Sequence, residues 1–353
     1  GTPPRSTSRR RRAPRCLAFL KLINPNERGM RLLGFHAPNR REWFVAEQAC
    51  YARRVATVPF YDSFGAAALA AIINETNLST VLTAAKNLET LLAAQEQCPS
   101  LAHVIVMEPV THAQRHACGQ RGLALYSYAE VCAAGEAHAC DALPAQPGDI
   151  ATFCYTSGTT GNPKGAMLTH ENLVSGSAGI HDAITMEPLG PESVHLSYLP
   201  LPHVFERMVQ LCVYSCGGRV GFFRGDPLKL FEDVNALQPT VFALVPRVVN
   251  KLYDKVMMAV ADAPTFKAAL FRRALRVKLR GLQMGRLKND LWDSLVFGKV
   301  KAGLGFGSMK VMVIGSAPVA PHVLSFMRVL AGVPIAEGYG QTEGMTLAQT
   351  LAQ

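Results

Sequence analysis

The alternation of strand-like and helix-like stretches constrains this chain more than any other feature. Short β-branched or aromatic runs at 55–61, 103–107, 195–200, 219–223, 240–245 and 310–314 are separated by stretches of helical apolar spacing at 42–54, 65–77, 87–97, 171–184, 206–216, 246–261 and 320–330. A strand followed by a helix pairs most readily in parallel with the next strand, the helix packing on the sheet face. The expected fold is therefore α/β, with helix-flanked, largely parallel sheets and binding loops at the strand ends. With 353 residues, 49% of them apolar, the chain can bury more than one core, and no internal repeat is visible.

The net charge of +10 is unevenly spread: residues 1–16 hold six arginines and no acid, and residues 265–288 hold eight basic residues and no acid. The rest is slightly acidic, so no nucleic-acid partner is expected. The first stretch is rich in proline and arginine with little to bury, which predicts a disordered segment over 1–29. The second, "TFKAALFRRALRVKLRGLQMGRLK", predicts a helix over 265–288 with Phe266, Leu270 and Val277 at helical spacing among cations. Two readings stay open: peripheral contact with an anionic membrane, or an ordinary helix with one face in the core and one in water. The longest apolar stretch, 311–336, is broken by His322, Arg328 and prolines, so no transmembrane segment is expected. Nine scattered cysteines with no CxxC predict reduced thiols in a cytosol-facing protein. Oligomeric state is not legible.

The stretch "YTSGTTGNPKG" at 155–165 concentrates glycine, hydroxyl groups and a lysine. It is not a Walker loop, because Asn162 and Pro163 separate Gly161 from Lys164 and a glycine follows the lysine. Apolar, β-branched runs flank it at 149–156 and 165–169, so the loop is expected to join two strands, with Thr169 capping the helix that follows. Glycines let backbone N–H groups crowd an anion, hydroxyls add donors and Lys164 adds charge. That chemistry suits the tail of a triphosphate.

Two later stretches complete a pattern: "GSAP" at 315–318, directly after a strand, and "GYGQTEG" at 338–344. With the loop, they resemble the adenylate-forming superfamily of acyl-CoA synthetases, luciferases and peptide-synthetase adenylation domains. "LPLPHVFERM" (199–208), "GGRVGFFRGD" (217–226), "LVPRVVNKLYDKV" (244–256) and "LWDSLVFGKV" (291–300) are similar to the long-chain fatty acid–CoA ligases, and the similarity runs from "GFHAPNRREW" to about Glu343. The resemblance implies ATP-dependent activation of a long-chain fatty acid to an acyl-adenylate and then an acyl-CoA. ATP, CoA, the fatty acid and Mg²⁺ would be the partners, at the cytosolic face of the endoplasmic reticulum or mitochondrial outer membrane. Carried over by motif, Thr156, Ser157, Gly158, Thr159, Thr160, Gly161 and Lys164 would grip the β- and γ-phosphates. Gly315, Ser316, Ala317 and Pro318 would border the adenine, Tyr339 would stack on it, and Gly340 would belong to the ATP site. Thr342 would bond the α-phosphate and Glu343 would hold Mg²⁺; Lys164, Thr342 and Glu343 are the expected catalytic set. His203 has two readings, a residue bordering the acyl site and a cap for the helix after it.

The same resemblance implies that residues 30–353 form part of the large AMP-binding domain, which continues in the family to a ribose-binding aspartate, a hinge and a lysine-bearing lid. The sequence ends ten residues after Glu343, with "GMTLAQTLAQ" departing from the pattern. The expectation is a chain incomplete at both ends, without the lid domain and with weak or no complete ligase activity. The alternatives are a non-catalytic short isoform that binds nucleotide or a full-length partner, and a superfamily member acting on another carboxylic acid.

Overall fold

A computed structural model describes residues 22–137, 143–156, 163–183 and 188–351. The chain divides into two compact units, residues 1–173 with 200–204 and residues 174–199 with 205–353. Each is built around its own sheet.

The first unit holds a seven-stranded sheet in the order β5-β4-β3-β1-β2-β6-β7. Its strands are β1 (Leu32–His36), β2 (Ala56–Pro59), β3 (Thr80–Thr83), β4 (His103–Val106), β5 (Ala124–Ser127), β6 (Ile150–Thr156) and β7 (Lys164–Thr169). All pairings are parallel except β6 with β7. The parallel strands are covered on both sides, which explains their continuous apolar sequences. Successive residues feed opposite layers: Val81 and Val104 pack with Leu69, Ile72 and Leu91, whereas Leu82 and Ile105 pack with Trp43, Ala46 and Val131. Leu22 and Ile23 are buried in the second of these layers, and Pro25 bridges to Arg31. Residues 22–29 thus belong to the packed structure, because two apolar side chains there have a core to enter; residues 1–21 lie outside the described residues.

The second unit holds a six-stranded sheet, β13-β12-β11-β10-β8-β9. The strands are β8 (Val194–Ser197), β9 (Arg219–Phe222), β10 (Val241–Leu244), β11 (Val311–Ile314), β12 (Ile335–Gln341) and β13 (Met345–Leu351). Only β12 with β13 is antiparallel. Helices Pro246–Ala261, Thr265–Gln283 and Pro321–Ala331 share its core, the first and last opening on proline. The basic helix is shorter than the expected 265–288. It stops at Gln283, and Gly285 adopts a left-handed conformation (φ 74°) that turns the chain away. Lys278 pins this helix to the core: its buried ammonium donates to the Val329 carbonyl (2.8 Å) and to Asp293, and lies 4.9 Å from the centre of the Phe297 ring. Among the described residues no helix is long and apolar enough to cross a membrane.

The first unit contains a buried titratable group with a readable consequence. His36, the last residue of β1, is buried, and neither ring nitrogen meets a hydrogen-bond partner among the described residues. Burial lowers its pKa to about 4, with Lys86 assisting and Asp62 opposing. The folded state keeps His36 neutral, whereas the unfolded chain takes up its proton near pH 6.5. His36 therefore costs nothing above about pH 6.5 and destabilises progressively as pH falls towards 4, by up to about 3 kcal/mol. Urea unfolding at pH 7 and pH 4.5 should show the gap between wild type and His36→Leu shifting by about 2–3 kcal/mol in favour of the variant at the lower pH.

Candidate functional site

In the first unit the expected phosphate loop is the turn of the β6–β7 hairpin. Thr156 and Lys164 are the last paired residues at its neck, Thr156 half-buried and Lys164 exposed. Ser157, Gly158, Thr159, Thr160 and Gly161 lie outside the described residues. The hairpin is held along its length. At its base, Arg54 donates twice to the Asp149 carboxylate (2.7 and 2.6 Å), which holds that carboxyl below its usual range. Midway, the Thr57 hydroxyl donates to that of Thr152 (2.9 Å).

One residue from the neck, Tyr155 faces Gly165 across the hairpin, and its hydroxyl donates to Glu75 (3.0 Å). Burial, then the Glu75 carboxylate, push its phenol well above the ordinary range, so it stays a neutral donor. A Cβ on Gly165 would sit 2.8 Å from the Tyr155 ring, so glycine is required here for packing rather than for phosphate contact. Thr169 caps the next helix as expected: its hydroxyl accepts from the Asn172 N–H (3.1 Å), and the Asn172 side chain accepts from the Thr169 N–H (3.0 Å).

In the second unit, the two remaining motifs occupy adjacent strand ends. Ile314 of β11 pairs with Glu337 of β12, so Gly315 leaves the sheet beside the point where β12 runs on through Gly338, paired there only with β13. The Gly315 N–H donates to the Leu244 carbonyl of β10 (3.1 Å), and a Cβ there would stand 3.3 Å from the Phe205 ring. Ser316 has φ 78°, one of few non-glycine residues with a left-handed backbone among those described. Ser316, Ala317 and Pro318 are exposed, presenting main chain rather than packed side chains. Beyond Gly338, the pairing with β13 shifts register between Tyr339 and Gly340, and this bulge accompanies an exposed Tyr339 (67%). Thr342 is half-buried and Glu343 exposed in the turn from β12 to β13, closed by the Gly344 N–H on the Gln341 carbonyl (3.2 Å). A tyrosine left this bare beside a strained turn does not serve packing.

His203 directly precedes helix Val204–Ser215 and is half-buried, its N–H donating to the Pro200 carbonyl (3.0 Å). A network absent from the sequence-based candidates lies one turn on. Glu206, fully buried, meets His195 Nε2 (3.1 Å) and accepts from Gln210 Nε2 (3.0 Å), which also donates to the Ser197 hydroxyl (2.7 Å). His195 Nδ1 faces the Val241 carbonyl at 3.3 Å, so both ring nitrogens have a polar neighbour. The group fixes the helix whose Phe205 abuts Gly315. The spacing of Glu206 and Gln210, one helical turn apart in a largely apolar helix, was its trace in the sequence.

Two helix-covered, largely parallel sheets, with a lysine-bearing hairpin at the edge of one and a glycine-serine turn followed by an exposed tyrosine on the neighbouring strand of the other, define an α/β protein of mostly parallel sheets. The sequence profile of the AMP-binding enzyme family matches residues 12–353, and the chain belongs to that family. It is 42% identical over 317 residues to long-chain-fatty-acid–CoA ligase 6 of Rattus norvegicus, covering 88% of this chain and 45% of that protein. It is 36% identical over 311 residues to the peroxisomal long chain acyl-CoA synthetase 6 of Arabidopsis thaliana, covering 88% and 44%. The chain thus spans about half the length of the curated relatives it matches. Among solved structures it resembles the adenylation domain of a carboxylate reductase from Mycobacterium chelonae (TM-score 0.78, 20% identity, 97% of this chain and 51% of that one). It also resembles a long-chain-fatty-acid-CoA ligase from Archaeoglobus fulgidus (TM-score 0.66, 18% identity, 96% and 57%). These two likenesses establish the fold.

The strained turn gives a direct test. A non-glycine residue in the left-handed region costs about 1 kcal/mol or more, which glycine avoids. Ser316→Gly should raise stability by up to about 1 kcal/mol in urea unfolding, and β-branched Ser316→Val should lower it by more than that.

Proposed function

We propose that this chain forms the ATP-binding and acid-activating part of a long-chain fatty acid–CoA ligase. One observation carries the reading: at two adjacent parallel strand ends, a main-chain turn held left-handed at Ser316 stands beside an exposed Tyr339. A flat base needs that combination, an aromatic face and a backbone edge. The roughly 40% identity to long-chain ligases supports the choice of acid.

In the proposed reaction a fatty-acid carboxylate oxygen attacks the α-phosphorus of ATP. The bond to the β-phosphate oxygen breaks and pyrophosphate leaves. The CoA sulfur then attacks the acyl carbon, AMP departs, and the thiol proton passes to solvent. Thr156, Ser157, Gly158, Thr159, Thr160, Gly161 and Lys164 neutralise the departing pyrophosphate, a charge spread over many oxygens that suits many weak donors and one cation. Gly315, Ser316, Ala317 and Pro318 border the adenine, Tyr339 and Gly340 cover its face, Thr342 donates to the α-phosphate, and His203 borders the acyl chain.

Among the described residues no three His, Cys, Asp or Glu side chains gather as a metal site. A lone exposed carboxylate at Glu343 fits an ion that arrives with the triphosphate, since Mg²⁺ takes one or two carboxylates plus substrate phosphates. Bound there, Mg²⁺ would offset phosphate charge. The same reading puts the protein at the cytosolic face of the endoplasmic reticulum or mitochondrial outer membrane.

Isothermal titration of the purified chain should show ATP binding that Lys164→Ala weakens about tenfold or more, the value of a charge-assisted contact to phosphate. The longest polypeptide its gene encodes should catalyse palmitate-dependent ATP–pyrophosphate exchange, reduced about a hundredfold by the same substitution. Absence of ATP binding would overturn the nucleotide site, and exchange driven by acetate but not palmitate would overturn the acid assigned.

A further inference from the structure

Helix Thr265–Gln283 has two apolar faces. One enters the core through Ala268, Phe271 and Ala274. The other carries Phe266, Leu270 and Val277, which are 69%, 41% and 37% exposed. At 100° per residue these three lie within about 40° of one another, with Arg273 and Arg280 on the same side. The helix thus has one face in the core, as the ordinary reading expects, and Lys278 with Ala268, Phe271 and Ala274 sets which side that is. A face that only met water would not carry a phenylalanine, a leucine and a valine in line.

An apolar groove of about 610 Å³ opens next to this stripe, between the end of helix Pro246–Ala261, the start of helix Thr265–Gln283 and residues 295–304. Val256, Val260, Phe266, Leu270, Leu295 and Val296 line it, and Lys255, Lys267 and Lys299 belong to its wall. Leu295 and Val296 come from a π-helical turn, Asp293–Phe297, a rare backbone form frequent at functional positions. Leu295 is itself 54% exposed. Apolar side chains that can leave water, ringed by cations with no acid between residues 265 and 288, match one kind of surface: acyl chains beneath anionic headgroups.

We infer that this face docks the protein on an anionic phospholipid bilayer, with Phe266, Leu270 and Leu295 entering the acyl region and a lipid chain seated in the groove. Arg273, Arg276, Arg280, Lys267 and Lys299 contact the headgroups. The inference rests on the proposed function only in giving a reason for docking, since a long-chain acid resides in bilayers; the surface is argued from its own residues. Each basic side chain near such a surface strengthens binding about fivefold, so the cations act together with the apolar insertion.

Flotation with vesicles of phosphatidylcholine and phosphatidylserine at about physiological salt tests this. The wild-type chain should bind them at least tenfold more tightly than pure phosphatidylcholine vesicles. Phe266→Glu with Leu270→Glu should reduce that binding at least tenfold, and so should Arg273→Glu with Arg280→Glu, while both variants keep wild-type circular dichroism and ATP affinity. Equal binding to neutral and anionic vesicles, or binding indifferent to the Phe266→Glu, Leu270→Glu pair, would overturn the inference. So would a concentration-dependent dimer abolished by that pair, which would show a second copy covering the face. Palmitate-dependent exchange measured in detergent separates the two ideas. If exchange persists without vesicle binding, the docking face alone fails; if vesicles bind without exchange, the functional reading alone fails.

Discussion

Parallel pairing in the middle of each sheet sets where every functional group can stand. β11 is buried along its length, with its hydrogen bonds taken by β10 and β12, so the chain leaves at one edge and the residues after Ile314 must lie beside those after Leu244 and Glu337. The Gly315 N–H to the Leu244 carbonyl is the first bond beyond the strands and already belongs to the site. Both units then use the same device. A long strand, β6 or β12, runs parallel to its inner neighbour and turns back as an antiparallel edge strand, β7 or β13. The candidate site residues cluster at these reversals: Thr156 and Lys164 at one, Tyr339 to Glu343 at the other. An antiparallel return needs only a short connection, which holds a turn close to a rigid strand end while leaving its tip open to a ligand.

Steric requirements tighten the frame around these turns. A Cβ at Gly165 would clash with the Tyr155 ring and one at Gly315 would crowd the Phe205 ring, so in these two motifs a glycine admits a neighbouring side chain. Phe205 in turn rides on a helix locked by the buried His195, Glu206 and Gln210 contacts. Ser316 shows the opposite case, a side chain kept where glycine would be easier, and its strain marks the turn as held by its surroundings.

Much of this was legible in the sequence. The apolar, β-branched runs at 149–156 and 165–169 were enough to predict the β6–β7 hairpin, and Thr169 announced the cap of the helix after it. Strands β1, β3 and β5 escaped notice because "LLGFH" carries a glycine and a histidine, and "TVLT" and "ALYS" carry polar residues, whereas the equally short β10 and β11 are wholly apolar. β12 was hidden by Gly338 and Gly340, which read as a turn, and "GMTLAQTLAQ" looked foreign to the motif although residues 345–351 pair as its edge strand. The division into two units, with residues 200–204 belonging to the first, depends on contacts distant in sequence and left no local signal. The basic helix was seen, but which of its apolar residues faced inward was decided by Lys278 reaching Val329 and Asp293, a long-range choice that periodicity cannot make.

The proposed ATP contacts, at the β6–β7 hairpin in one unit and at the turns 315–318 and 338–343 in the other, can each be read directly. Amide hydrogen exchange, followed by mass spectrometry with and without ATP and magnesium, reads all three segments at once. Exchange should slow in peptides covering 156–165, 315–318 and 338–343 and stay unchanged across helix Thr265–Gln283. Protection absent from these segments at saturating ATP, or found in that helix instead, would contradict the account.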